Sequence, residues 1–182
     1  MGSIFSVGVP LLLFSSSSGH ADDPAPKATL TITSPGFPAE GMIPAKYTCA
    51  GANVSPPLSW TGVPAGTRTL ALICDDPDAP GGTWVHWVIF NLPVTASTLV
   101  EKIDTVPTLP NATRQGVNDF GKIGYGGPCP PPGKPHHYFF KLYALDARLS
   151  LKAGATKKDL LQAMDGHVVA EGFLMGKYQR KK

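Results

Sequence analysis

The apolar residues of this chain come in short runs fenced by glycine and proline, and that pattern decides what it can fold into. Thr69–Cys74 (TLALIC), Trp84–Leu92 (WVHWVIFNL) and Tyr138–Leu145 (YFFKLYAL) are rich in β-branched and aromatic side chains. Such residues pack well on a pleated surface, and runs this short read as buried strands. The chain of 182 residues holds 20 glycines and 19 prolines, a density of turn residues that suits many short strands and excludes a helical bundle or coiled coil. Leu30–Thr33 alternates as another strand, and Pro35–Pro64 is turn-dense around the run Leu58–Trp60. Residues 93–135 are mostly loop, with room for one short strand. Helical signals come at the end: Thr156 as a cap, Asp159 in the first turn, and Leu160, Leu161 and Met164 as an apolar stripe. A second helical stretch is expected from about Gly166, with Val168, Val169, Phe173 and Leu174 at core spacing. Strands first and helices last predict a mainly β domain with peripheral helices.

Charge narrows the function. Lys and Arg number 16, Asp and Glu 13, and charged residues make up 16%, against roughly 25% in an average domain. The positive cluster Lys177, Arg180, Lys181 and Lys182 is a tail, not the basic stripe of a nucleic-acid binder. No run reaches the roughly 18 apolar residues of a membrane-spanning helix. The uncharged run Ile4–Phe14, followed by Gly19-His20-Ala21, reads as a secretory signal peptide over residues 1–21, although its start lacks a positive residue. Residues 22–28 then form a linker, and residues 29–182 a single domain. A working leader would make the protein periplasmic or secreted; without one it is cytoplasmic. Export would permit a disulfide between Cys49 and Cys129, which both lie in Gly/Pro-rich loops, with two free thiols as the alternative. Cys74, inside an apolar run, reads as an inert core thiol. Asn53-Val54-Ser55 and Asn111-Ala112-Thr113 are glycosylation sequons, of use only in a eukaryotic secretory host.

Two segments carry titratable residues where strands should be apolar. The first runs from Asp75 through Asp76, Asp78 and Pro80 into Trp84 and His86; the second is His136-His137-Tyr138. A strand period of two puts His86 on one face with Trp84, Val88 and Phe90, and His136 with Tyr138 and Phe140, leaving His137, Phe139 and Lys141 opposite. Asp75 reads as merely ending its strand. Glycines at 124, 126 and 127 would let backbone N–H groups approach a ligand. Two imidazoles, a phenol and glycine amides are donors suited to a phosphate-like oxyanion, and the acidic rim could accept an amine. Structural turns and core histidines are the plainer alternative.

The runs DDPDAPGGTWVHWVIFNLP (75–93) and GYGGPCPPPGKPHHYFFKLYALD (124–146) resemble the two signature regions of the phosphatidylethanolamine-binding protein family, in its prokaryotic Raf-kinase-inhibitor-like subgroup. IPAKYTCAGANVSPPLSW (43–60), GVNDFGKIGYGGP (116–128) and AMDGHVVAEGFLMGKY (163–178) extend the similarity across residues 29–180. The resemblance implies a large central antiparallel sheet, a smaller second sheet, C-terminal helices and a pocket for phosphate-like anions near one end of the sheet. It assigns to that pocket Asp76, Asp78 and His86 with Pro80 and Trp84 beside them, then Gly126, Gly127 and Pro128, and finally His136 and Tyr138.

The expected function is therefore a non-catalytic binding protein for a small phosphorylated ligand or phospholipid headgroup such as phosphoethanolamine. Its alternative is an inhibitor or regulator of a kinase or protease acting through a protein surface. An enzyme is not expected: there is no G-x-S-x-G elbow and no nucleophile beside a histidine. Nor is a cofactor or metal expected, since close metal-ligand spacing is missing.

Overall fold

The computed structural model describes residues 1–2 and 28–181. The expected leader from residue 3 onward lies outside the described residues, as does the linker except for Ala28, which opens the first strand.

The three apolar runs form the middle of a six-stranded sheet. Strand β4 (Thr69–Asp76) lies antiparallel between β5 (Trp84–Pro93) and β8 (His136–Leu145). Outside β8 comes β9 (Val168–Tyr178), also antiparallel, and then β1 (Ala28–Thr29), which pairs with β9 in parallel. At the other edge is β7 (Arg114–Gln115). The large sheet is thus mixed through one short edge strand. A second sheet stacks β2 (Thr31–Thr33), β3 (Leu58–Thr61) and β6 (Thr98–Leu99), all antiparallel.

Two cores follow from the alternation of side chains across the central strands. Between the sheets, Leu70 and Leu72 of β4 and Phe140 and Leu142 of β8 meet Ile32, Leu58 and Trp60 of the small sheet. On the far face Ile73, Val88 and Phe90 are covered by Leu149 and by Leu160 and Met164 of α1 (Lys157–Met164). That helix starts as its sequence predicts: the Thr156 side chain accepts from the Asp159 N–H, and the Asp159 carboxylate accepts from the Thr156 N–H. The reciprocal pair satisfies two of the helix's orphan donors.

The second expected helix is instead the strand β9. Its inward row is Ala170, Gly172, Leu174, Gly176 and Tyr178, and its outward row includes Glu171 and Phe173. The glycines explain the change: a Cβ on Gly172 would lie 2.0 Å from the Leu30 carbonyl oxygen, and one on Gly176 2.7 Å from Phe37 and Ile43. Two interior glycines cost a helix about 1 kcal/mol each relative to alanine, whereas here their bareness admits the neighbouring chain.

Candidate functional site

At one end of the large sheet, the last residues of β4, the first of β5 and β8, and the loops 77–83 and 116–135 surround a cavity of about 180 Å³. Drug-sized ligand sites occupy roughly 300–1,000 Å³, so this one suits a small ligand or the end of a larger one. Its polar groups are Asp76, His86 and His136. Its apolar walls are Ala79, Pro80, Trp84, Phe120, Cys129, Pro130 and Pro131.

His86 reaches the cavity because β5 is irregular there. Cys74 pairs with Trp87 and Asp75 with Val85, so His86 is the extra residue of a β-bulge. A bulge resets the alternation. His86 and Trp87 therefore share the inter-sheet face, while Val88 and Phe90 point to the α1 side. This corrects the expected row of His86 with Val88 and Phe90, which strict period two requires. The His86 ring is buried. Its Nδ1 lies 2.6 Å from the Gly126 carbonyl oxygen, and the Gly126 N–H donates to the His86 carbonyl at 2.8 Å. A carbonyl can only accept, so Nδ1 carries the proton and Nε2 is left for the cavity. Burial holds the His86 pKa below its ordinary value, against the opposing pull of the Gly126 carbonyl and Asp76.

His136 is anchored in the same manner. Its Nδ1 lies 2.8 Å from Asp76 Oδ2, both groups being buried, and the other Asp76 oxygen accepts the Asp78 N–H at 2.8 Å. One carboxylate thus holds the imidazole and shapes the loop that follows it. Two rings with committed Nδ1 atoms and free Nε2 atoms can accept from a protonated ligand when neutral and donate to an anion when charged.

The other expected residues fall elsewhere. Asp78 turns outward, where its Oδ2 accepts from the His137 N–H and lies 2.7 Å from His137 Nδ1. That histidine bond holds its carboxyl below the usual carboxylate range. Tyr138 sits behind the cavity, its ring edge-on to His86 at 5.2 Å. Its buried hydroxyl has no partner in hydrogen-bonding geometry among the described residues, and burial with the nearby Asp76 charge raises its pKa. The glycine amides are also engaged: Gly126 N–H on His86, and Gly127 N–H on Asn53 Oδ1 at 2.8 Å. Lack of space by itself requires both glycines. A Cβ would lie 2.7 Å from the Phe120 ring at position 126 and 2.4 Å from the Tyr47 carbonyl oxygen at 127. Pro128 is buried and its carbonyl accepts from the Cys49 N–H. Pro80 and Trp84 do line the cavity.

Three features escaped the sequence reading. Phe120 lies in a loop with no periodicity to flag it. Cys129, Pro130 and Pro131 form one wall of the cavity, tied down by the Cys49–Cys129 disulfide that the sequence had allowed, with Cα atoms 5.4 Å apart. Asp75 does not merely end its strand: on the opposite sheet face it is buried against Lys141, at 2.9 Å, and Lys157. Among the described residues no group of His, Cys, Asp and Glu is arranged to hold a metal ion, and no helix is long and apolar enough to cross a membrane.

Comparison with known proteins agrees with this architecture. The family model described as phosphatidylethanolamine-binding protein matches residues 33–179. A UPF0098 protein of Methanothermobacter thermautotrophicus is 56% identical over 144 residues, 79% of this chain and 95% of its own. One from Aquifex aeolicus is 44% identical over 155 residues, 84% of this chain and 90% of its own. Among solved structures, a phosphatidylethanolamine-binding protein homolog of Chlamydia trachomatis superposes with a TM-score of 0.77 at 42% identity, covering 84% of this chain and 99% of that one. Escherichia coli YbcL, described as a member of the mammalian PEBP family, gives 0.78 at 34%, covering 85% and 100%. With its mainly β fold and with most of its length matched, this chain belongs to the phosphatidylethanolamine-binding protein family.

Proposed function

We propose that the chain is a non-catalytic binding protein whose cavity takes a phosphate-like anion, free or as the phosphorylated head of a larger molecule. The observation that carries this reading is the pair His86 and His136, each with Nδ1 fixed inside the protein and Nε2 left to one small cavity. Asp76 sets the tautomer of His136 and the Gly126 carbonyl that of His86, as an oriented donor pair requires. The small volume and apolar walls give directional contacts to the head alone.

Because burial lowers the His86 pKa, its Nε2 becomes a donor only as pH falls below about 6.5. Sulfate keeps its charge across this range and is the cleaner probe. Its affinity, measured by calorimetry from pH 8 to pH 5, should rise as the pH falls, and His86→Ala and His136→Ala should each remove binding. An affinity that stays flat with pH takes the histidines out of the role. If neither sulfate nor phosphate binds the parent protein, the pocket reading falls. Regulation of a kinase or protease through a protein surface, the role the Raf-kinase-inhibitor-like resemblance suggests, then becomes the better one.

The same proposal places the mature protein outside the cytoplasm. The leader-like residues 1–21 support this, and so does the Cys49–Cys129 disulfide, a bond that persists in oxidising compartments. Mass spectrometry of the protein from a fractionated host should find an N-terminus at Asp22; an intact Met1 in the cytosolic fraction would sink it.

A further inference from the structure

The cavity wall formed by residues 129–135 is held unlike the rest of the site. Four of those seven residues are proline (CPPPGKP), and proline has no backbone N–H to donate. Up to Pro128 the chain is fastened by hydrogen bonds. Tyr125 donates its hydroxyl to the Tyr47 carbonyl, Gly127 its N–H to Asn53 Oδ1, and the Pro128 carbonyl accepts from the Cys49 N–H at 3.1 Å. From His136 onward it is fastened by the ladder of β8 on β9. Between those points, the hydrogen bond found among the described residues is that of the exposed Gln179 side chain on the Gly133 carbonyl. The other tether is covalent, the Cys49–Cys129 bond.

That tether lies at the cavity itself. Cys129, Pro130 and Pro131 line the space together with the two histidines. A run of prolines is stiff and extended, so the segment moves as a flap about its two ends. Both half-cystines are exposed, and a disulfide open to solvent is the kind that a thiol attacks. Cys74, the third cysteine, is fully buried and out of reach of exchange with the pair.

We infer that the Cys49–Cys129 bond is a redox latch on the cavity: reduction by a dithiol releases the flap 129–135, opens the cavity and weakens its hold on an anion. The last consequence rests on the anion reading. A thiolate of the dithiol attacks one sulfur, the other sulfur leaves as a thiolate, and the second thiol of the dithiol resolves the mixed disulfide. Two electrons and two protons pass to Cys49 and Cys129, and the dithiol becomes a disulfide. The hydrogen bonds of Tyr125, Gly127 and Pro128 survive this step, so the fold stays while the flap loosens. Ordering the flap again on binding costs at least one residue's backbone freedom, or about tenfold in affinity. The latched form is the one that an oxidising compartment maintains.

Dithiothreitol treatment of the full chain tests it, with iodoacetamide and mass spectrometry to count the thiols. Under native conditions Cys49 and Cys129 should be alkylated only after reduction, with circular dichroism unchanged. Sulfate affinity, measured by calorimetry at about pH 5.5 where imidazoles charge, should be about tenfold weaker for the reduced protein. Acrylamide quenching should rise on reduction and report Trp84, since Trp60 and Trp87 are buried. Cys49→Ser/Cys129→Ser should bind sulfate as the reduced parent does and ignore dithiothreitol. A bond that resists dithiothreitol in the folded protein overturns the inference, and so does reduction that unfolds the chain. Sulfate affinity unchanged by reduction overturns it while the anion reading stands. If sulfate binds neither form, the anion reading falls, and Trp84 decides the latch: raised quenching keeps it and unchanged quenching removes it. The parent, oxidised against reduced, settles the matter even if the double variant fails to fold.

Discussion

Two carboxylates stand side by side at the end of β4, and alternation sends them to opposite faces of the sheet. Asp75 faces α1 and is buried between Lys141 of β8 and Lys157 of the helix. Asp76 faces the cavity, where it holds His136 and the Asp78 N–H. Neither carboxylate touches bulk water to any extent, so each needs a partner to stay charged. The partners differ in kind. On the α1 face two ammonium groups from different elements close on one carboxylate, which serves as a clamp between sheet and helix. On the cavity face the partner is an imidazole, whose second ring nitrogen can serve as donor or acceptor. Chain neighbours thus supply a structural lock and a wall of the candidate site, on opposite faces of one strand.

The largest expected effect tests the cavity face. The Cys49–Cys129 bond closes a loop across a sequence separation of 80, for which chain entropy gives about 4 kcal/mol of stability. Cys129→Ser should lower the urea midpoint accordingly and also weaken sulfate binding, because Cys129 lines the cavity. Stability lost with sulfate affinity intact would show that the wall holds without its tether. On the other face, Asp75→Asn should cost about 3 kcal/mol in the same assay, with the loss moderated because Lys141 and Lys157 still reach solvent. Sulfate affinity should be unchanged in Asp75→Asn. If it falls along with stability, the two faces are coupled and the comparison breaks.

Much of this was legible in the sequence, for reasons that particular residues make plain. The runs at 69–74, 84–92 and 138–145 are apolar, β-branched and too short for helices, and they became β4, β5 and β8. Thr156 with Asp159 marked the start of α1. Three things were hidden. Local pattern cannot show a bulge, so the alternation read across His86 carried Val88 and Phe90 to the wrong face. It cannot distinguish glycines that admit a neighbouring strand from glycines that end an element, so β9 read as a helix. And it cannot pair residues far apart in the chain: Asp75 looked idle because Lys157 is 82 positions away. For the site the limit was similar. Residue types identified the two histidines and Asp76, but whether an amide or a carboxylate is free depends on its partners, and Gly126, Gly127 and Asp78 all proved engaged.

Smaller effects sharpen the contrast in pH response. The folded-state pKa of His86 is lowered by burial, so the unfolded chain binds a proton that the folded one refuses. Its contribution to stability is therefore complete above about pH 6.5 and is lost as the pH drops through that value, levelling off below the folded pKa. Urea midpoints of the parent should fall between pH 7.5 and pH 5, and His86→Gln should flatten the decline. Asp75→Asn should leave the slope near that of the parent, since its partners are lysines. A parent midpoint that does not move in this window would mean that His86 is not held neutral by burial.

The smallest effect concerns Tyr138, which the sequence placed among the ligand donors and the fold places behind the histidines. Its buried hydroxyl has no hydrogen-bond partner among the described residues, and a buried group left unsatisfied costs about 1–3 kcal/mol. Tyr138→Phe removes the hydroxyl while keeping the ring that packs edge-on to His86. The variant should therefore be as stable as the parent or gain up to about 1 kcal/mol, and sulfate should bind it within about twofold of the parent, less than one weak hydrogen bond is worth. A loss of tenfold or more would mean that the bound state turns this hydroxyl onto the anion. The cavity floor would then have three donors instead of two, and the orphan hydroxyl would be part of the binding site, waiting for its acceptor.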